Sequence, residues 1–237
     1  EAIVQDKDLT KQLLQSIGVP VPRGRAVTDG DDAWVAAQEI GVPVVVKPKD
    51  GNQGRGVAVN LHTREQVLAG YAAAVARSEE VIVEKYAFGA DYRLLVIGNK
   101  LVAAARREPP QVIGDGRRTI AELVEEVNKD PRRGEHHATS LSKIPLDAIA
   151  IGVLTEQGLV PSSVPAAGQI VLLRRNANLS TGGSAADVTD LVHPEVAARV
   201  IDGVRMVGLD IAGVDVIAQD ISRPLEQQGG VIIEINA

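Results

Sequence analysis

The chain opens on a helical repeat. In DKDLTKQLLQSIG, Leu9, Leu13, Leu14 and Ile17 recur at helix spacing, and Gly18 supplies a C-terminal stop. The VPVP that follows breaks the pattern, and DDAWVAAQEIG predicts a second short helix closed by Gly41. The apolar run at 44–47 reads as a strand, and the VAVN at 57–60 as another. Thr63 and Gln66 have the spacing of a capping box for a helix running to about Arg77. Val81–Tyr86 reads as a strand. DYRLLVIGNKLVAAARR reads as a hairpin turning at Gly98-Asn99. Thr119–Asn128 predicts an acidic amphipathic helix, and HPEVAARVIDGVRMVG one with Pro194 in its first turn. From Lys129 to Gln169 the pattern is weak, and loops with one or two short strands are expected. The chain closes on two predicted strands, GVDVIAQDI and GGVIIEINA, joined by a turn containing Pro224 and Gly229. Helices and strands mix without a strict βαβ rhythm, so the expected class is α+β with largely antiparallel sheets.

Composition narrows this picture. The 237 residues are 45% hydrophobic but only 2% aromatic, so the core must be built from Val, Ile, Leu and Ala. Few aromatics and a net charge of −6 argue against a nucleic-acid or acidic-membrane binder. There is no cysteine, which excludes disulfides and thiolate metal sites and fits a cytoplasmic setting. No apolar run is long enough to span a bilayer. The first residue is Glu1, so the chain is expected to be a piece of a longer protein.

The stretch VVVKPKDGNQGRGVAVN carries Lys47 ahead of Gly51, Gly54 and Gly56. A Walker loop or a dinucleotide fingerprint would lead into a helix. Here the glycines lead into a second strand, which makes a flap whose backbone N–H groups can close over a triphosphate. Lys47 would supply a point charge to its oxygens. Taken alone, the same stretch is equally a hairpin with a flexible tip.

The far end of the chain changes that balance. In VIIEINA, strict alternation puts Ile232, Glu234 and Asn236 on one face. Asp215 interrupts an equally apolar run on the preceding strand. If the two strands are neighbours, Asp215, Glu234 and Asn236 converge as an all-oxygen set suited to Mg²⁺. Charged residues in apolar strands are rarely there for packing.

These landmarks, in this order, resemble the ATP-grasp superfamily: Asp6-Lys7, VVVKP with its flap, VEKY, and a terminal Asp with Glu-x-Asn. REPPQVIGDGRRTIAELVEEVN, DPRRGE and LRRNANLSTGG resemble more closely the ATP-grasp domain of cyanophycin synthetases. The resemblance implies two α+β lobes gripping ATP in the cleft between them. It divides the chain into leading helices to about 40, a small lobe at 41–86, and a large lobe at 87–237 with an inserted lid-like region at 107–169. The implied activity is that of a carboxylate–amine ligase. The carboxylate of a poly-aspartate primer is activated by ATP as an acyl phosphate, and an aspartate amine then displaces phosphate. The implied partners are aspartate and an acidic or arginylated polypeptide primer, with a homo-oligomer expected for the full-length parent. Polymerisation of aspartyl-arginine dipeptides, a glutathione-type ligase and a non-catalytic nucleotide- or polymer-binding module are the alternatives.

By the same resemblance Lys7 and Lys47 hold the α- and β-phosphates, Gly51, Gly54 and Gly56 form the flap, Glu84 and Lys85 receive adenine, and Asp91 takes the ribose hydroxyls. Asp215, Glu234 and Asn236 are the metal ligands. Arg107 and Arg175 are candidates for neutralising the transferred phosphoryl group, with Arg106 or Arg174 as the alternative inward member of each pair. Asn178, Ser180, Thr181 and Gly182-Gly183 are candidates for an oxyanion- or carboxylate-binding loop. Some relatives carry an arginine just before the first metal-binding Asp; here that residue is Val214, which shifts the duty to another arginine, with Arg175 favoured. His136 and His137 read as exposed or polymer-contacting residues. Arg117, Arg118, Arg132 and Arg133 are either a route for an acidic polymer or solvated charges.

Overall fold

The computed structural model describes residues 7–49, 56–134 and 139–237, with side chains from Leu9 onward. In chain order the first elements are α1 (Lys7–Ser16), β1 (Gly24–Val27), α2 (Gly30–Ile40), β2 (Val44–Pro48), β3 (Ala58–Leu61), α3 (Arg64–Val75) and β4 (Val81–Lys85). The hairpin strands β5 (Ala90–Ile97) and β6 (Lys100–Glu108) follow, then β7 (Gln111–Ile113), α4 (Ile120–Val127), β8 (Arg133–Gly134), β9 (Leu141–Ser142), α5 (Ala148–Glu156) and β10 (Ile170–Leu172). A short 3₁₀ turn at Leu179–Thr181 leads to β11 (Ser184–Asp187), and a second at Thr189–Leu191 to α6 (Pro194–Met206), β12 (Ile211–Ala218) and β13 (Val231–Asn236). The class is α+β, and all pairings of the two larger sheets with a recorded register are antiparallel.

Two compact units divide the chain: residues 1–104 with 188–237, and residues 105–187. The first holds a sheet in the order β1-β4-β2-β3 and, of a second sheet, β5, β12, β13 and the opening half of β6 (residues 100–104). Behind the first sheet, Val44, Val46, Val81 and Val83 bury against alanines of α2 and Val67 of α3. Alanine permits this close helix-on-sheet packing where larger residues would hold the layers apart. The capping box of Thr63 and Gln66 starts α3 with both reciprocal hydrogen bonds in place. Behind the second sheet lie Leu94, Val96, Val214, Val216, Ile232 and Ile235, covered by Val196, Val200 and Val204 of α6. Leu14 of α1 joins this second core.

Three details of the pattern are overturned. The buried side of α1 carries Thr10 and Leu14, with Lys11 half-buried beside them, while Leu9 and Ile17 are exposed. The helix is rotated so that one side meets the β12 core and Lys11 turns to β4. In β13 a register shift falls between Asp215 and Val216 of its partner, so Ile232 and Ile235 both reach the core. Ile232 therefore does not share the face of Glu234, because one extra residue in the strand reverses the alternation. Finally, the weak region at 129–169 contains α5. Its sequence, AIAIGVLTE, is apolar all round and lacks a helical stripe; the start signal is Asp147, whose side chain accepts from the N–H of Ile149 and Ala150.

The second unit has its own core, in which Val112 and Val171 of the β7–β10 ribbon pack with Leu123 and Val124 of α4 and Ala150 and Leu154 of α5. Among the described residues no helix is long and apolar enough to cross a membrane.

Candidate active site

The first candidate cluster grows from β4. Its alternation sends Val81 and Val83 into the small core and Ile82 and Glu84 to the opposite face, yet all four are buried. On β2, Val45 is level with Glu84 and Lys47 with Ile82, so Lys47 is the diagonal neighbour of Glu84 on that face. Lys47 Nζ lies 2.8 Å from Glu84 Oε2, and Lys11 of α1 contacts Glu84 Oε1. The Glu84 side chain is 5% exposed, and those of Lys11 and Lys47 are 13% and 18%. Gly24 of β1 sits opposite Glu84, and a Cβ there would fall 2.5 Å from Glu84 Cγ. The glycine is the space into which the carboxylate stem folds. Lys85 turns the other way: its N–H donates to Arg23 O at 2.7 Å, and its Nζ to Gly41 O at 2.8 Å. Its side chain thus anchors the turn before β2.

On either side of the glycine stretch, β2 and β3 pair antiparallel, so the stretch leads into a strand and not into the helix a Walker loop requires. Gly56 has φ 73° and packs on the end of α3, where a Cβ would meet Ala73 O at 3.1 Å. Gly51, Gly54, His136 and His137 lie outside the described residues. Lys7 opens α1, and its side chain also lies outside them.

The second cluster is a row across three strands. Asp215 of β12 is level with Glu234 of β13 on one side and Arg93 of β5 on the other. Asn236 is level with Gly213, on the same face as Glu234. Asp215, Glu234 and Asn236 thus share one sheet face on adjacent strands, as the terminal pattern predicts. Arg93 Nη1 donates to Asp215 Oδ1 at 2.9 Å. A Cβ at Gly213 would fall on the Arg93 guanidinium, so this glycine is what lets the arginine lie across β12. Asp91, two residues before Arg93, is level with Ile217 on the same face. Gly89, with φ 145°, brings the chain after β4 against the Ala218 backbone at the end of β12.

Two carboxylates and one amide oxygen on one face make a hard donor set that fits a divalent cation such as Mg²⁺. Among the described residues no three His, Cys, Asp or Glu side chains form a metal cluster, so a cation here would depend on the amide and on its other ligands. Lys11, Arg93 and Gly213 were not singled out from sequence. Lys11 is one helical turn after Lys7, and Arg93 alternates with Asp91, so spacing alone could have flagged both.

Arg107, Arg175, Asn178 and Ser180 all belong to the second unit. Arg107 is half-buried on β6 opposite Ala185, while Arg106 is exposed beside Glu108. Arg174 is buried and bonds Asp147 Oδ2 at 2.6 Å, which ties it to the start of α5. That guanidinium holds the Asp147 carboxyl below its ordinary pKa. Arg175 points outward and pairs with Glu156. In the Asn178–Gly183 loop, the Asn178 carbonyl accepts from Thr181 N–H and Gly183 N–H, both at 3.1 Å. Arg133 secures the same loop by donating to Gly182 O at 2.8 Å and Ser142 O at 2.7 Å.

The match that decides the family is to the ATP-binding domain of the carbamoyl-phosphate synthase L chain, over residues 6–152. The chain belongs to this ATP-grasp family. Within it, the chain is 49% identical over 236 residues to a cyanophycin synthetase of Trichormus variabilis, covering 98% of this chain and 26% of the relative. It is 38% identical over 229 residues to a glutathione biosynthesis bifunctional protein of Mannheimia succiniciproducens, covering 94% of this chain and 30% of that protein. The crystal structure of a bifunctional glutathione synthetase from Pasteurella multocida superposes with a TM-score of 0.68 at 35% identity, over 100% of this chain and 32% of that one. The chain spans about a quarter to a third of the length of these relatives.

Proposed function

We propose that this ATP-grasp chain is the ligase domain of an enzyme that extends the aspartate backbone of a cyanophycin-like polypeptide. The observation that carries the reading is the level pairing of Asp215 with Glu234, with Asn236 beside them, in a chain 49% identical to a cyanophycin synthetase. Asp215, Glu234 and Asn236 would hold Mg²⁺, which when bound shields phosphate charge. Lys7 and Lys47 meet the phosphates, Gly51, Gly54 and Gly56 cover them, and the backbone at Glu84-Lys85 together with Asp91 receives the adenosine. Arg93 keeps the Asp215 carboxylate oriented.

The primer carboxylate oxygen attacks the γ-phosphorus, and the bond to ADP breaks. Fixed cations stabilise the charge that develops on the phosphoryl oxygens, the role given to Arg107 and Arg175. The aspartate amine then attacks the acyl carbon, phosphate leaves, and the amine gives up a proton. Asn178 and Ser180 are assigned to the acyl-phosphate oxygens in that step. The setting is cytoplasmic, and the full-length parent is a homo-oligomer.

The test is phosphate release by the full chain with primer, aspartate and Mg-ATP. Asp215→Ala is expected to lower turnover by about 10²–10³-fold, and equal turnover would refute the assignment. The similarity to bifunctional glutathione proteins supports a glutathione-type ligase as second reading. Offering the substrates of glutathione synthesis in place of primer and aspartate separates the two.

A further inference from the structure

In the Lys11–Glu84–Lys47 cluster, Lys11 has no part in the proposed reaction. Glu84 is a nearly buried carboxylate with one ammonium on each oxygen, Lys11 from α1 and Lys47 from β2. A buried carboxylate that loses its cation is strongly destabilising, because desolvation is no longer offset. In the proposed reaction Lys47 must turn to the phosphates. If Lys47 were the sole partner of Glu84, every nucleotide-binding event would strand that carboxylate. Lys11 removes the difficulty. It approaches the other oxygen from a helix anchored by Leu14 in the β12 core, and Gly24 leaves the carboxylate stem its room.

We propose that Lys11 is a positioning residue for nucleotide binding: it keeps Glu84 neutralised, so that Lys47 can exchange the carboxylate for a phosphate oxygen of ATP. The proposal rests on the reading of Lys47 as a phosphate ligand. It makes a prediction of unusual sign. In Lys11→Met, Glu84 holds Lys47 more firmly, and ATP binding weakens. Neutralising Glu84 in the same chain releases Lys47, so the second substitution repairs the first.

The experiment measures Mg-ATP and tripolyphosphate affinity, and KM for ATP against kcat, in the full chain. The chains compared are wild type, K11M, K11R, K47M and the double variant K11M/E84Q, each with a thermal melt. K11M is expected to weaken ATP and tripolyphosphate about tenfold or more, raising KM with a smaller effect on kcat. K11R keeps the charge and stays within about threefold of wild type, and K11M/E84Q recovers most of the loss. Unchanged affinity in K11M, or a double variant as weak as K11M, overturns the proposal, since a lysine that merely anchors α1 would alter the melt and leave affinity alone. If K11M does not fold, the double variant, which buries no net charge at these two positions, decides by the same affinity criterion. Wild type failing to bind Mg-ATP, or K47M binding as wild type does, overturns the function reading itself. Wild-type binding lost in K47M but kept in K11M overturns only the role of Lys11.

Discussion

Glu84 and Asp215 are both carboxylates on central strands of one unit, and they are handled differently. Glu84, at 5% exposure, has a lysine on each oxygen, one from a neighbouring strand and one from a helix. Asp215, at 17% exposure, bonds Arg93 and faces another carboxylate across the ladder. The difference follows from solvation. A carboxylate shut away from water is tolerable only with compensating cations packed on it. One at a partly open sheet face can keep water, or exchange it for a metal ion and its phosphate ligand. Two cations converging on one anion suit an anionic ligand, and two anions beside one cation suit a cationic one. Mg-ATP carries both signs.

The largest effect that would sharpen this contrast comes from the acidic row. Asp215→Asn with Glu234→Gln is expected to reduce turnover by about 10³-fold or more. It should raise the Mg²⁺ requirement, seen by titrating the metal at fixed ATP, while ATP-saturation behaviour at high Mg²⁺ changes less. Lys47→Met should do the reverse, raising KM for ATP and leaving the metal titration in its usual range. Identical profiles for the two variants would break the distinction. Next in size, Gly213→Ala drives a methyl into the Arg93 guanidinium. Loss of the Arg93–Asp215 bond is expected to cost about tenfold in turnover with the fold kept, as circular dichroism would check. Gly24→Ala crowds Glu84 at 2.5 Å and should lower stability by about 1–3 kcal/mol in denaturant unfolding. A smaller effect serves as a control outside both clusters. Asp147 has a folded-state pKa depressed by Arg174 below its ordinary 3.8, so its contribution is complete above that pH. It is lost as the pH falls from there through the folded value. The stability difference between wild type and Asp147→Asn should therefore be flat near neutrality and shrink in acid.

Much of this was legible beforehand. Apolar strands of Val and Ile, the Thr63 capping box, the Gly98 turn and the helix opening at Pro194 all carry local signals, and local signals survive folding. The acidic row was legible because Asp215, Glu234 and Asn236 are out of character in apolar strands. Less visible were features that depend on what lies opposite. The rotation of α1 toward Thr10 and Leu14 is set by two neighbours at once, and its own leucines point to a different face. The shift in β13 is a matter of register, which VIIEINA alone leaves open. Helix α5 buries only Ala150, Val153 and Leu154 while Ile149 and Ile151 stay exposed, and periodicity says nothing where buried and exposed positions are both apolar.

The sequence by itself determined which residues could do chemistry: a lysine ahead of close glycines, a glutamate in an apolar strand, and two carboxylates with an amide near the chain's end. Side-chain type and alternation are local properties, readable one residue at a time. Only the tertiary structure decided their partners. Glu84 became a shared anchor for Lys11 and Lys47, and Arg93 rather than a residue next to Asp215 became its cation. Gly24 and Gly213 gained their meaning as the spaces those side chains occupy. Pairings between residues 37, 73 or 122 positions apart are fixed by strand register and helix packing, which no short stretch of chain encodes.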